Sequence, residues 1–264
     1  MTEAAKVVRD RAGTSPVGAA LVLGSGLSGI GDLLGDRVAI PYSELEGFPG
    51  GGVSGHGRDL LVGTLGGKRI AVLTGREHYY EHGNAAAMRP ALETMAELGA
   101  GTVLLTNSAG SLDKAIRPGD LMMIADHINY AGMNPLIGEP SDRRFVNMVN
   151  AYDPALRSQA HSIGARLDIA LKEGIYLWYS GPSFETVAEI QMAIRLGATA
   201  VGMSTAPEVI LARMLGLRVW ACSSITNMGA GLSDEKISHE HTKTMAVQGA
   251  DKLKKLIPAL LEAI

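Results

Sequence analysis

The apolar positions of this chain fall into short blocks, and the spacing within each block decides which element it predicts. Continuous apolar runs of strand length occupy 19–23, 60–65, 69–73, 102–106, 120–127, 175–180 and 218–226, and each reads as a buried strand. Gly66, Gly67 and Lys68 join the second and third runs as a hairpin. Elsewhere the period lengthens to that of a helix. Residues 88–98 form one such segment, ended by Gly99. Another carries Val187, Ile190 and Ile194 on one face, takes Ser183 as its cap with Glu185 in the first turn, and stops at Gly197. After a short strand at 198–202, Thr205 and Glu208 have capping-box spacing, and Pro207 lies in the first turn of a helix apolar nearly all round. Such a helix is buried. The last helix opens at Ser238-His239-Glu240-His241 and lays Met245, Ala246, Leu253, Leu256, Ile257 and Leu260 along one stripe, whereas 134–152 is polar and loop-like.

Strands alternating with helices predict an α/β fold. The 33 glycines are too many for a helical bundle and collect where apolar runs end, as strand-to-loop junctions require. No repeat, low-complexity tract or charged linker divides the 264 residues, so 1–264 reads as a single domain with a sizeable core. A net charge of −3 argues against nucleic acid or an anionic membrane as the main partner. The single cysteine, Cys222, supports neither a disulfide framework nor a zinc cluster, and no metal is expected. The first residues lack an apolar signal core, and no run approaches the roughly 18 apolar residues of a membrane span. A soluble cytoplasmic protein is the expectation.

Several strand ends carry chemistry. The run 19–23 leads into Gly24-Ser25-Gly26-Leu27-Ser28-Gly29, spelled as a dinucleotide fingerprint. Only eight residues then separate Gly29 from the next strand candidate at Val38, too few for a crossover helix, and Pro41 interrupts the strand on which Glu44 would meet a ribose. A loop of small residues still cradles a phosphate with its N–H groups, and Ser25 adds a hydroxyl. Phosphate as a substrate therefore fits better than a nicotinamide cofactor. Residues 48–59 set five glycines around His56, a loop expected to order only around a ligand.

In extended backbone Arg76, His78 and Tyr80 of the run 74–83 share one side. Arg76 offers a planar fork matched to phosphate oxygens and His78 another donor; an ion cluster with Glu77 and Glu81 is the plain alternative. The strand at 198–202 delivers Met203 and Ser204 to a helix N-terminus, where N–H groups and the dipole favour an anion. Glu185 close to it points to a ligand with both a donor and an oxyanion, against the plain alternative of dipole compensation. The strand 218–226 ends at Thr226-Asn227, and a neutral amide there can donate and accept at once.

GPSFET followed by GMSTAPEVILAR, with GSGL and GREHYYE before them in order, resembles the trimeric purine nucleoside phosphorylases and their methylthioadenosine phosphorylase relatives. The resemblance runs from Ser25 to His239. It implies one domain built on a central mixed, partly barrel-like sheet flanked by helices. It implies reversible phosphorolysis of 6-oxopurine ribo- or deoxyribonucleosides such as inosine and guanosine, with no cofactor and inorganic phosphate as co-substrate. Phosphate would be held by Ser25, His56, Arg76, His78, Ser108 and Ser204, Ser108 acting through its backbone where the family more often has alanine. Tyr80, Met203 and His239 would line the ribose, with His241 the rival at the 5′-hydroxyl, and Phe145 would reach into the neighbouring subunit's ribose site, making a homotrimer necessary. The base would lie among Ala109, Gly110, Phe184, Glu185, Val201, Thr226 and Asn227.

Catalysis is assigned by the same resemblance to Asn227, Glu185 and His78. Asp126 and His127 take structural roles in it, and His82 departs from the family pattern just before Gly83. Asparagine at 227 marks the 6-oxopurine enzymes and aspartate the methylthioadenosine enzymes, which makes the latter activity the first alternative. A nucleoside-binding protein without catalysis is the second, and the joint presence of Arg76, His78, Glu185 and Asn227 counts against it.

Overall fold

The computed structural model describes residues 1–50, 57–234 and 239–264, those at 239–244 by their backbone alone. Along the chain come α1 (Glu3–Ala12), β1 (Ala19–Val22), a 3-10 segment at Ser28–Leu33, β2 (Gly35–Pro41), β3 (Asp59–Leu65), β4 (Lys68–Leu73), α2 (Tyr79–His82) and α3 (Arg89–Glu97). They are followed by β5 (Thr102–Ser111), β6 (Leu121–Asn129), α4 (Pro154–Arg166), β7 (Leu171–Trp178), α5 (Val187–Arg195), β8 (Ala200–Gly202), α6 (Ala206–Met214), β9 (Arg218–Met228) and α7 (His239–Ala263).

These nine strands pair in the order β2-β3-β4-β1-β5-β8-β7-β6-β9, and β9 pairs back onto β5. The last five therefore close into a ring, a small barrel from which β1, β4, β3 and β2 extend as a wing. The chain is one α/β domain around a mixed, partly barrel-like sheet, as expected. Helices cover both faces, which is why the central strands are apolar at every position rather than at alternate ones. Ala20, Val22, Val103 and Leu105 pack towards α1, α3 and α6. Ala19, Leu21 and Leu104 pack towards α7 and α4. Among the described residues no helix is long and apolar enough to cross a membrane.

After the first glycine loop the chain makes only the short 3-10 segment and then enters β2, which runs antiparallel to β3. No crossover helix follows β1, as the spacing before Val38 required. β1 runs parallel to both β4 and β5, and β5 runs parallel to β9. The carboxyl ends of these four strands thus face one side of the sheet, the side on which open α/β sheets place their ligands.

Two expectations are corrected. Ser183 does not cap α5: Thr186 does, accepting the Glu189 N–H while Glu189 bonds the Thr186 N–H, so Glu185 precedes the cap and is not in the first turn. Residues 107–110 are not a turn after a strand ending at 106 but the second half of β5, which pairs with β8 on one side and β9 on the other. The capping box at Thr205 and Glu208 and the buried helix after it form as read.

Candidate active site

The carboxyl ends of β1, β4, β5 and β9 meet the segment 180–185 and the end of β8 around a cavity of about 260 Å³. Ser25, Arg76, His78, Tyr80, Ser108, Ala109, Gly110, Phe184, Glu185, Val201, Met203, Ser204, Thr226 and Asn227 all line it. Asn107, Pro182 and Gly202 line it too and were not singled out from the sequence. Phe145 is not part of this lining; it stands 76 % exposed, with the Arg144 guanidinium 5.1 Å above its ring. His56 lies outside the described residues, as do the side chains of His239 and His241.

One end of the cavity is rich in donors. Gly24 closes tightly against β5, its N–H bonded to the Thr106 hydroxyl at 3.1 Å, and this presents Ser25 at the rim. The Ser108 hydroxyl donates to the Ser25 carbonyl at 3.1 Å. Arg76, 2 % exposed, pairs through Nε with Glu208 at 2.6 Å and donates through Nη1 to the Thr106 carbonyl at 2.8 Å. The Ser204 hydroxyl lies 3.5 Å from the same Nη1, and the Ser204 N–H donates to the Tyr176 hydroxyl at 3.2 Å. Burial pushes that phenol up to about 12, so it stays a neutral hydroxyl. His78 stacks on Tyr80 with ring centroids 4.9 Å apart, and Glu81 holds its Nδ1 at 3.2 Å.

The extended reading of 76–80 holds as far as His78; Tyr80 reaches the cavity from the short α2 instead. His82, the departure from the family pattern, points to Glu77 at 3.0 Å, and Gly83 ends the turn with φ +70. Asp126 and His127 are not in the cavity lining; His127 Nδ1 meets the Tyr152 hydroxyl at 2.9 Å.

The other end is shaped for a flat polar ring. Asn227 is 9 % exposed, and its Oδ1 accepts from the Thr226 hydroxyl at 2.9 Å while its Nδ2 donates to the Met228 carbonyl at 3.0 Å. Both bonds fix the plane of the amide and leave one N–H and one lone pair for a ligand. Gly110 passes beneath with no room to spare, since a Cβ there would stand 3.0 Å from Asn227 Nδ2. Glu185 is half-buried, and loss of solvent raises its carboxyl above the usual range. Phe184 and Val201 add apolar walls. Met203 and Tyr80 both crowd Gly181, a position with φ +68 that suits glycine. The arrangement can therefore hold a small oxyanion and a planar heterocycle a few ångströms apart.

The chain matches the family model described as "Phosphorylase superfamily" over residues 19–262. It is 41 % identical over 243 residues to the purine nucleoside phosphorylase 1 of Geobacillus stearothermophilus, covering 90 % of this chain and 88 % of that one. It is 40 % identical over 255 residues to the purine nucleoside phosphorylase of Bos taurus, covering 93 % and 88 %. A solved structure of the Schistosoma mansoni purine nucleoside phosphorylase with inosine superposes with a TM-score of 0.92 at 32 % identity, over 99 % of this chain and 95 % of that one.

Proposed function

The chain belongs to the phosphorylase superfamily, and we infer from this and from its cavity that it is a purine nucleoside phosphorylase. It catalyses the reversible phosphorolysis of 6-oxopurine nucleosides such as inosine and guanosine to free base and pentose 1-phosphate. The observation that carries this reading is the single cavity with Ser25, Arg76, His78 and Ser204 at its donor-rich end and Glu185 with Asn227 at the other.

Phosphate attacks C1′ as the glycosidic bond breaks, so positive charge grows on the sugar ring and negative charge on the departing purine. A phosphate dianion bonded by Ser25, Arg76, His78, Ser204 and the Ser108 backbone stands beside the developing cation, already oriented for attack. Positioning and fixed charge of this kind remove several kcal/mol of barrier. At the base, Asn227 uses its remaining N–H on the N7 and O6 edge, where charge accumulates, and Glu185 accepts the N1–H. Tyr80 and Met203 hold the sugar. Leaving-group stabilisation belongs to the side chains alone, with phosphate as co-substrate and no cofactor required.

A homotrimer in which Phe145 of one subunit completes the ribose site of the next fits the exposure of that ring. The test of the activity is release of free base from inosine, guanosine, adenosine and methylthioadenosine, each with and without phosphate. Cleavage of the first two that vanishes without phosphate is the expected result. Cleavage of methylthioadenosine in preference to inosine would transfer the assignment to that enzyme, and binding of inosine without cleavage would leave a nucleoside-binding protein.

A further inference from the structure

Three buried polar residues take no part in the reaction as derived above: Glu208 and Thr205 lie behind the cavity, each against a group that lines it, and Asn107, itself at the cavity wall, bonds to Thr205. We propose that Glu208, Thr205 and Asn107 form a brace that sets Arg76 and Ser204 as one phosphate-binding unit. The proposal rests on the reading of that end of the cavity as the phosphate site.

Glu208 is 2 % exposed and divides its two carboxylate oxygens between two partners. Oε1 lies 2.6 Å from Arg76 Nε, and Oε2 accepts the Thr205 N–H at 2.7 Å. With the Thr106 carbonyl on Nη1, the guanidinium is held by an ion pair at Nε and a hydrogen bond at Nη1. Capping of α6 accounts for the bond to the Thr205 N–H. It accounts neither for the arginine on the other oxygen nor for the conformation of Thr205.

Thr205 is fully buried, with φ +70 and ψ −51, a region costly for a β-branched residue. Its hydroxyl accepts from Asn107 Nδ2 at 2.8 Å and lies 3.0 Å from the Ser204 hydroxyl. The strained residue is thus tied at its N–H to Glu208 and at its hydroxyl to β5, and in that position it holds the Ser204 hydroxyl near Arg76 Nη1. Strain that is held by buried bonds beside a ligand site is the mark of preorganisation. Glu208 and Thr205 are positioning residues that act on phosphate through Arg76 and Ser204, and Asn107 supports them by holding the Thr205 hydroxyl.

Two variants separate this role from simple stability. Glu208→Gln turns one of the two acceptors into a donor, so either Arg76 Nε or the Thr205 N–H loses its partner. Thr205→Gly removes the hydroxyl while adopting the positive φ freely, and glycine is well tolerated at a helix cap. The measurements are calorimetric binding of inorganic phosphate, the KM values for phosphate and inosine, and the melting temperature.

The expected result is a rise of about tenfold or more in the Kd and KM for phosphate in both variants, the loss of one hydrogen bond to a charged group. The KM for inosine at saturating phosphate should stay within about threefold, and Thr205→Gly should keep its melting temperature. A folded Thr205→Gly protein with phosphate Kd within about threefold of the parent would overturn the brace. So would phosphate and inosine constants rising together. If the parent binds phosphate but cleaves no nucleoside, the reading of the activity fails and the brace is still judged on Kd. A parent that binds no phosphate overturns both.

Discussion

Asn227 and Glu185 differ in when they act, and this separates the effects expected from changing them. In the proposed reaction the partner charge of Asn227 grows only in the transition state, because the purine becomes negative as the glycosidic bond breaks. Asn227→Ala should therefore lower kcat by about a hundredfold or more, as removal of a preorganised donor does, with a smaller effect on KM; an unchanged kcat would remove Asn227 from this role. In the proposed complex Glu185 meets the N1–H in the ground state, and its ionised form is the stronger acceptor. Burial raises its carboxyl, so the folded protein binds that proton more tightly than the unfolded chain, and ionising Glu185 costs stability as pH rises from about 4.3 through the folded value. For function the same shift means that inosine affinity should begin to fall, on acidification, above the ordinary Glu range of about 4.3. Binding measured without phosphate, so that phosphate protonation does not enter, checks this. A midpoint at or below the ordinary value would show that ionisation of Glu185 does not govern base binding. Residues such as these were legible because their donor and acceptor complement is written in the residue type. Glu208 was not: its spacing from Thr205 reads as a helix cap, and nothing along the chain shows that its second oxygen meets Arg76.

Elements were legible where burial and periodicity agree, and misread where ligand chemistry interrupts the pattern. The small polar residues Asn107, Ser108 and Gly110 predict a turn, yet β5 runs through them because β9 pairs along it from Thr102 to Ser111, and β8 joins on the other side at Gly110 and Ser111. Small side chains at those positions instead let the cavity approach the strand. The start of α5 is decided by reciprocity: Ser183 has the chemistry of a cap, but Thr186 and Glu189 have the reciprocal spacing, and the reciprocal pair forms. The glycine loop after β1 shows what such close packing of elements is for. A Cβ on Gly24 would stand 2.7 Å from Asn107 Cα and 2.9 Å from the Thr106 carbonyl, both backbone atoms that cannot swing away. Gly24→Ala should thus lift the loop off β5, destabilise the fold by about 1–3 kcal/mol, and weaken phosphate binding by displacing Ser25. Chemical denaturation and phosphate calorimetry measure the two effects separately, and a variant unchanged in both would contradict the tight closure of the loop.

At the scale of the whole molecule, one set of apolar side chains stands in solvent. Phe145 sits on a polar segment between β6 and α4 and is 76 % exposed, while Ile137 and Val149 nearby are 77 % and 73 % exposed. A chain with a core this complete does not need to leave three large apolar side chains in water, and covering them against a second copy is the economical arrangement. In the proposed closed ring of three the contact is heterologous, which puts Phe145 and the rest of the site on different molecules. That separation can be tested by complementation. Phe145→Ala chains retain Glu185, and Glu185→Ala chains retain Phe145; each pure oligomer should be nearly inactive. In oligomers assembled from an equal mixture, roughly a quarter of the sites combine an intact pocket with an intact neighbouring phenylalanine, and activity should return to about that fraction. No recovery in mixed oligomers, shown to be mixed by mass, would mean that each chain builds its site alone and that the exposed apolar segment serves another contact.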